Sequence, residues 1–409
     1  MHISNQQVQL GLKANWKQFL LLVVVNAFVG AMVGLERSIF PEFAEKIFGI
    51  TAATAVLSFI VAFGISKAIT NYFTGKLVSH FSRKKVLVMG WLIAFPIPFI
   101  LILAENWVWV VVANVFLGVS QGITWSSAVI MKIDLVGERQ RGLAMGFNEF
   151  AGYFSVGLMA WLTAWIASQY GVKPYSFYLG IAIVIIGLLL STIWVKDTSA
   201  FVRIEAKQSQ QEKHKNIFWA TTLTDKNLSS ITQAGFVNNF NDGMMWGLFP
   251  MFLAKLFFET SQIGFLVALY PAVWGIAQLF TGRLADLYSK KKMLFWGMLV
   301  QGIAIVFLPY LRSFEGIMFL AILLGLGTAW VYPTFLAAIA TLTHPTQRAE
   351  SLGAFRFWRD MGYAVGALTS GIVADVLGLH WAIVVVGIVT IVSAIIVQVR
   401  MNTQKQVIL

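Results

Sequence analysis

Twelve predominantly apolar stretches run through this chain, each long enough to cross a lipid bilayer, and little sequence is left between them. They fall at about 16–40, 51–78, 86–104, 107–131, 142–168 and 175–195 in the first half, and at about 228–258, 262–285, 293–311, 314–340, 350–375 and 379–400 in the second. A crossing helix needs roughly 20 apolar residues. Inside hydrocarbon the backbone must satisfy its own polar groups, so such segments are helices. With 58% hydrophobic residues, 12% charged and a mean hydropathy of +0.75, no soluble fold accommodates the chain. The reading is an all-α polytopic membrane protein. The first run, Phe19 to Leu35, follows Lys13 and Lys17 but exceeds a signal-peptide core and lacks a small-x-small cleavage site, so it is read as a retained helix.

With the N-terminus inside, the loop cations gather on one side, and only Lys46, Lys173, Lys255 and Arg312 fall on the other. The positive-inside rule then places both termini and the polar stretch 196–227 in the cytoplasm of a bacterial-type inner membrane. It also accounts for the net charge of +12 without nucleic acid as a partner. The stretch around Lys207 to Lys215, rich in Lys, Gln and Glu, reads as a flexible or partly helical linker between bundles at 1–195 and 228–409. The chain has no cysteine and five scattered histidines, and it carries no G-x-x-x-x-G-K-S/T, H-E-x-x-H or G-x-S-x-G motif. No cofactor, metal centre, nucleotide motor or enzyme chemistry is expected.

The two halves repeat. "GKLVSHFSRKK" from Gly75 returns as "GRLADLYSKKK" from Gly282, 207 positions on. At the same offset Gly118 maps to Gly325, Arg141 to Arg348 and Gly146 to Gly353; Pro41 and Pro250, 209 apart, are expected to close the first helix of each half. Six helices separate the mates, so the repeats are parallel and related by an axis along the membrane normal. In these features the chain resembles the major facilitator superfamily, whose loops after helices 2 and 8 read G-x-L-a-D-r-x-G-r-R/K. The resemblance covers essentially the whole chain. It implies twelve helices in two six-helix bundles, alternating access, and a cavity lined by helices 1, 4, 7 and 10. It also implies a gating role for Gly75, Arg83, Lys84, Gly282, Asp286 and Lys290, with Ser79 replacing the first acid. Two patterns of the family's drug antiporters are absent: Asn114 stands where helix 4 would carry arginine, and "NEFAGYFSVG" in helix 5 lacks the proline.

Ionisable groups at mid-bilayer cost at least ~2.5 kcal/mol each, so they mark function or pairing. In helix 7, Asn238, Asn241 and Asp242 share a face by their spacing. A carboxylate in a half-dry cavity can load and release protons near neutral pH, which makes Asp242 the first candidate for coupling, with Glu36 and Glu149 beside it. Helix 1 offers Asn26 and Arg37; helix 4 offers Gln121 and Trp125; helix 10 offers Thr328 and Tyr332, next to the bend expected at Pro333. In helix 11, Arg356, Arg359 and Asp360 lie on one face. A Lys67–Asp360 pair, assigned to gating, would leave one arginine for a carboxylate or phosphate on the solute. The expected activity is secondary transport of a small organic solute by a monomer in the bilayer, as proton-coupled efflux. An organic-anion importer or exchanger and a non-transporting membrane sensor are the alternatives.

Overall fold

The computed structural model describes residues 9–37, 39–50, 53–137, 140–208, 211–258 and 260–402. The expected cytoplasmic placement of the chain ends concerns residues 1–8 and 403–409, outside the described residues. The first half holds α1 (Trp16–Arg37), α2 (Phe40–Phe48), α3 (Ala53–His80), α4 (Arg83–Ala94), α5 (Ile97–Leu103), α6 (Trp107–Val136), α7 (Arg141–Tyr170) and α8 (Tyr175–Leu189). Two short helices follow, α9 (Ser199–Gln208) and α10 (Ile217–Trp219). The second half holds α11 (Lys226–Lys255), α12 (Thr260–Leu287), α13 (Lys290–Phe307), α14 (Phe314–Leu342), α15 (Arg348–Leu377) and α16 (Leu379–Arg400). Among the described residues no strand occurs.

Helix ends follow their capping chemistry. Asn106 accepts from Val108 N at 3.1 Å to start α6, and Asp225 accepts from Asn227 N and Leu228 N to start α11. Gly171 and Gly378, 207 positions apart, end α7 and α15 with φ of 86° and 87°, a region that glycine enters without strain. The repeat therefore holds down to its caps.

Among the described residues nine helices are long and apolar enough to cross a membrane. α11 and α15, each 30 residues long, are not among the nine because polar and charged side chains interrupt them. Within each half the helices pack into a bundle, and the halves meet where α3 lies along α15 and α7 lies along α12. These two seams are repeat-mates. At one, a Cβ on Gly75 would come 2.6 Å from Ala349 O and 3.2 Å from Gly353 Cα; at the other, a Cβ on Gly282 would come 2.6 Å from Gly142 O and 2.8 Å from Gly146 Cα. Toward the opposite end the seams relax. Gly275 reaches only Tyr153 and Phe154, at 3.8 Å or more, and Gly157 and Gly371 meet nothing within 4 Å.

Several boundaries differ from the sequence reading. Pro41 does not close the first helix; α1 ends at Arg37 and Pro41 lies in the first turn of α2, where its missing N–H is harmless. Pro250 does not close α11 but sits inside it, as Pro271 and Pro333 sit inside α12 and α14. The carbonyl that Pro333 cannot serve, Ala329 O, accepts instead from Thr281 Oγ1 of α12 at 2.6 Å, the kind of replacement that lets proline persist in membrane helices. The fourth span continues to Val136, so Lys132 is a fully buried helical residue rather than part of an inner loop.

Candidate functional site

At the centre, where α11, α12, α14 and α15 face α3, α6 and α7, buried polar side chains form two connected groups. The first surrounds Asp242. Its Oδ1 accepts from the Tyr270 hydroxyl at 2.5 Å, and that hydroxyl lies 3.3 Å from Thr328 Oγ1. Oδ2 has no hydrogen-bond partner among the described residues, although the Tyr363 hydroxyl faces the carboxylate. Beside it the rings of Tyr153, Trp274 and Tyr332 cluster with centroids 3.9 to 5.7 Å apart. Tyr153 also donates to Tyr332 Oη at 3.1 Å. An aromatic wall thus joins α7 of one half to α12 and α14 of the other.

The second group surrounds Asp360, whose own exposure is 0%. Arg359 donates from Nε at 2.9 Å and Nη2 at 2.8 Å, Asn71 at 2.5 Å and Asn239 at 3.2 Å, with Lys67 Nζ 3.9 Å away. Lys67 and Asn71 come from α3, so this cluster stitches the halves together. Ser126 of α6 donates to Asn71 Oδ1 and accepts from Arg356 Nη1 at 3.1 Å. The charges sit over rings as well: Arg359 over Tyr332 at 5.5 Å and Lys67 over Trp125 at 5.5 Å.

Other candidates are placed differently. Glu36, 1% exposed, accepts from Asn114 Nδ2 at 3.2 Å, while Arg37 turns away to cover Phe63 at 5.1 Å. Glu149 accepts from Asn148 Nδ2 at 2.5 Å and Trp125 Nε1 at 3.4 Å. Asn26 donates to Asn148 O at 2.8 Å and Gln121 to Val29 O at 2.7 Å, so both tie helices within the first half. Asn241 points to Thr390 and Gln301 inside the second bundle, away from Asp242. Asn238 reaches only its neighbour Asn239 at 3.4 Å, and it is Asn239 that bridges Asp360 and Tyr332. The shared face read for Asn238, Asn241 and Asp242 is therefore split between two surroundings.

At the end of the molecule that carries α9, the seams are locked. Asp286 accepts from Gly142 N at 2.7 Å and Leu143 N at 2.9 Å, so an acid of α12 caps α7 of the other half. Arg83 pairs within its own half, with Asp134 Oδ2 at 3.3 Å, and donates to Val78 O at 2.7 Å; Lys84 N donates to Asp197 at 3.2 Å. Glu205 of α9 receives both Arg141 of α7 and Arg348 of α15, the latter by two bonds of 2.8 and 2.9 Å. The same two arginines share Ala340 O, at 2.9 and 3.2 Å. One carboxylate in the connecting segment thus clasps both halves.

The family model described as Major Facilitator Superfamily matches residues 19–236 and again residues 231–406. The chain belongs to the major facilitator superfamily. It is a membrane transporter and not an enzyme, as its relatives in the superfamily are. It is 23% identical over 376 residues to a Staphylococcus haemolyticus (strain JCSC1435) protein named "Proton-coupled antiporter flippase LtaA", covering 89% of this chain and 88% of that one. The namesake from Staphylococcus aureus (strain MSSA476) is also 23% identical over 376 residues, with 88% and 89% covered. The fold is shared with the human organic anion transporter MFSD10 (TETRAN), at TM-score 0.78 and 14% identity over 93% of this chain and 99% of that one. It is shared too with a double-tryptophan mutant of XylE, at 0.76 and 14% over 96% and 97%.

Within this superfamily fold the sequence reading overlooked several buried groups. Tyr270 and Trp274 carry no charge and lie among apolar neighbours, so hydropathy passes over them, and Asn239 falls outside the spacing that groups Asn238, Asn241 and Asp242. Lys132, which donates to Leu22 O at 2.9 Å, falls just outside the apolar run 107–131, whose helix continues five residues further to Val136. Glu205 was hidden by the polarity of the linker. The signal was its spacing from Val202: three residues apart on α9, the two are 6% and 7% exposed and mark a buried face.

Proposed function

We propose that the chain is a proton-coupled secondary transporter that moves a small organic solute by alternating access, exporting it in exchange for protons. The proposed arrangement is a monomer in a bacterial inner membrane with both termini cytoplasmic. Bundles at 1–195 and 228–409 rock about the central layer, with 196–227 joining them. The observation that carries the reading is Asp242, fully buried beside the inter-half aromatic wall and faced by the hydroxyls of Tyr270 and Tyr363. A carboxylate so poorly solvated has a proton affinity that follows the wetting of its site, which is how a proton gradient can drive rocking. The name of the staphylococcal relatives, which pairs proton coupling with antiport, supports exchange as the mode. Tyr332, Thr328, Arg359 and Trp125 border the same layer and are proposed to touch the solute. Glu36 and Glu149 are proposed as secondary proton carriers, and Lys67, Asp360, Asp286 and Arg83 as gating residues that exchange partners when the α9 end opens.

The test is a proteoliposome with an internal pH dye and a panel of labelled solutes. Solute gradients are expected to drive proton movement through the wild type. Asp242→Asn is expected to abolish that movement while leaving solute counterflow. Normal proton flux through Asp242→Asn removes the assignment, and no solute-linked proton flux in the wild type removes the coupling.

A further inference from the structure

Arg356 is a buried arginine whose hydrogen bonding is incomplete. This side chain is 1% exposed and makes one hydrogen bond, from Nη1 to Ser126; its Nε and Nη2 have no partner among the described residues. Those two nitrogens form the side-on edge of the guanidinium, whose parallel N–H bonds match the two oxygens of a carboxylate or phosphate. Neither acid that acts on Arg356 hydrogen-bonds to it. Asp360 is held by Arg359, Asn71 and Asn239; Glu149 accepts at Oε1 from Asn148 and Trp125, while its Oε2 makes no hydrogen bond to Arg356 or to any other described residue. Cations outnumber acids here: Arg356, Arg359 and Lys67 lie within this layer, against Asp360 and Glu149. Asp242, which faces Arg359, offsets one more charge only when it has lost its proton. A buried excess of positive charge is costly until a counter-ion enters. Tyr153 also acts on Arg356, and it stacks 3.9 Å from Trp274 and 5.4 Å from Trp125. An apolar or aromatic body therefore has a wall to lie against once its charged end is held.

We infer that the transported solute is an organic oxyanion, a carboxylate or phosphate monoester on an apolar body, gripped side-on by the free edge of Arg356. The inference rests on the transport reading above but not on proton coupling, and binding without a gradient tests it. Purified full-length protein in detergent is heated with benzoate, with phenyl phosphate and with neutral benzamide at matched concentrations. At least one of the two anions is expected to raise the unfolding midpoint while benzamide does not, and the anion that acts distinguishes carboxylate from phosphate. Arg356→Lys keeps the charge but loses the fork, and is expected to weaken that anion about tenfold, the scale of a lost hydrogen bond to a charged group. No preference for either anion over benzamide in the wild type overturns the inference, whether or not the variant folds. Equal anion binding by a folded Arg356→Lys overturns it too. Anion binding without any solute-linked proton flux leaves it standing and retires the coupling instead.

Discussion

Arg359 and Asp360 show how a neighbouring pair differs from the free arginine one turn away. Arg359 spends Nε and Nη2 on Asp360, and Lys67 stands only at 3.9 Å from the same carboxylate. Removing Arg359 strands a buried charge, which typically costs 3–5 kcal/mol. Arg359→Ala is therefore expected to lower thermal stability by about 3 kcal/mol, and Asp360→Asn in the same chain to recover much of it, a coupling that a double-mutant cycle reads directly. If Arg359→Ala unfolds like the wild type, the pair is not the anchor described. The Lys67–Asp360 proximity was legible in the sequence because the fold's helix order puts α3 beside α15. Which arginine stays free was not legible, since spacing places Arg356 and Arg359 on one face and only side-chain geometry separates them.

At the scale of helices, the closeness of the seams comes from glycine. Gly75 and Gly353 at one crossing and Gly146 and Gly282 at the other let backbones touch where any Cβ would meet a carbonyl. Gly282→Leu is expected to hold the α9 end apart. The check is thiol labelling of a cysteine introduced at Ser289, beside that seam, which should react faster in the Gly282→Leu background; unchanged labelling would show that the crossing tolerates bulk. The repeated glycines were visible in the sequence because an offset needs no structure. The partner of each was not, since repeat position says which residues are alike and not which ones touch. The same limit explains Asn241: helical spacing grouped it with Asp242, but neighbours on both sides of α11 divide that arc.

For the molecule as a whole, the all-helical membrane fold and its internal repeat were legible from apolar run length and internal offset, because the bilayer leaves few solutions to those two constraints. The connecting segment was read only as polar, and its role depends on one acid. Burial works against the ionised Glu205, but hydrogen bonds from Arg348 and the charges of Arg348 and Arg141 prevail and hold its carboxyl below the usual 4.5. For an acid lowered on folding, the stabilisation is complete above 4.5 and fades as the pH drops through the lowered value. Glu205→Gln is accordingly expected to lower thermal stability at pH 7 and to cost less at pH 3, by unfolding scans at the two values; an equal loss at both would assign the effect to packing.

A cord between two rocking bodies ordinarily sets only how far apart they drift. Here the cord also grips both, through a single carboxylate held between the repeat-mates Arg141 and Arg348. To part the halves at that end, one arginine must leave a carboxylate that the other still holds, so the strap opposes separation there as well as joining the bundles.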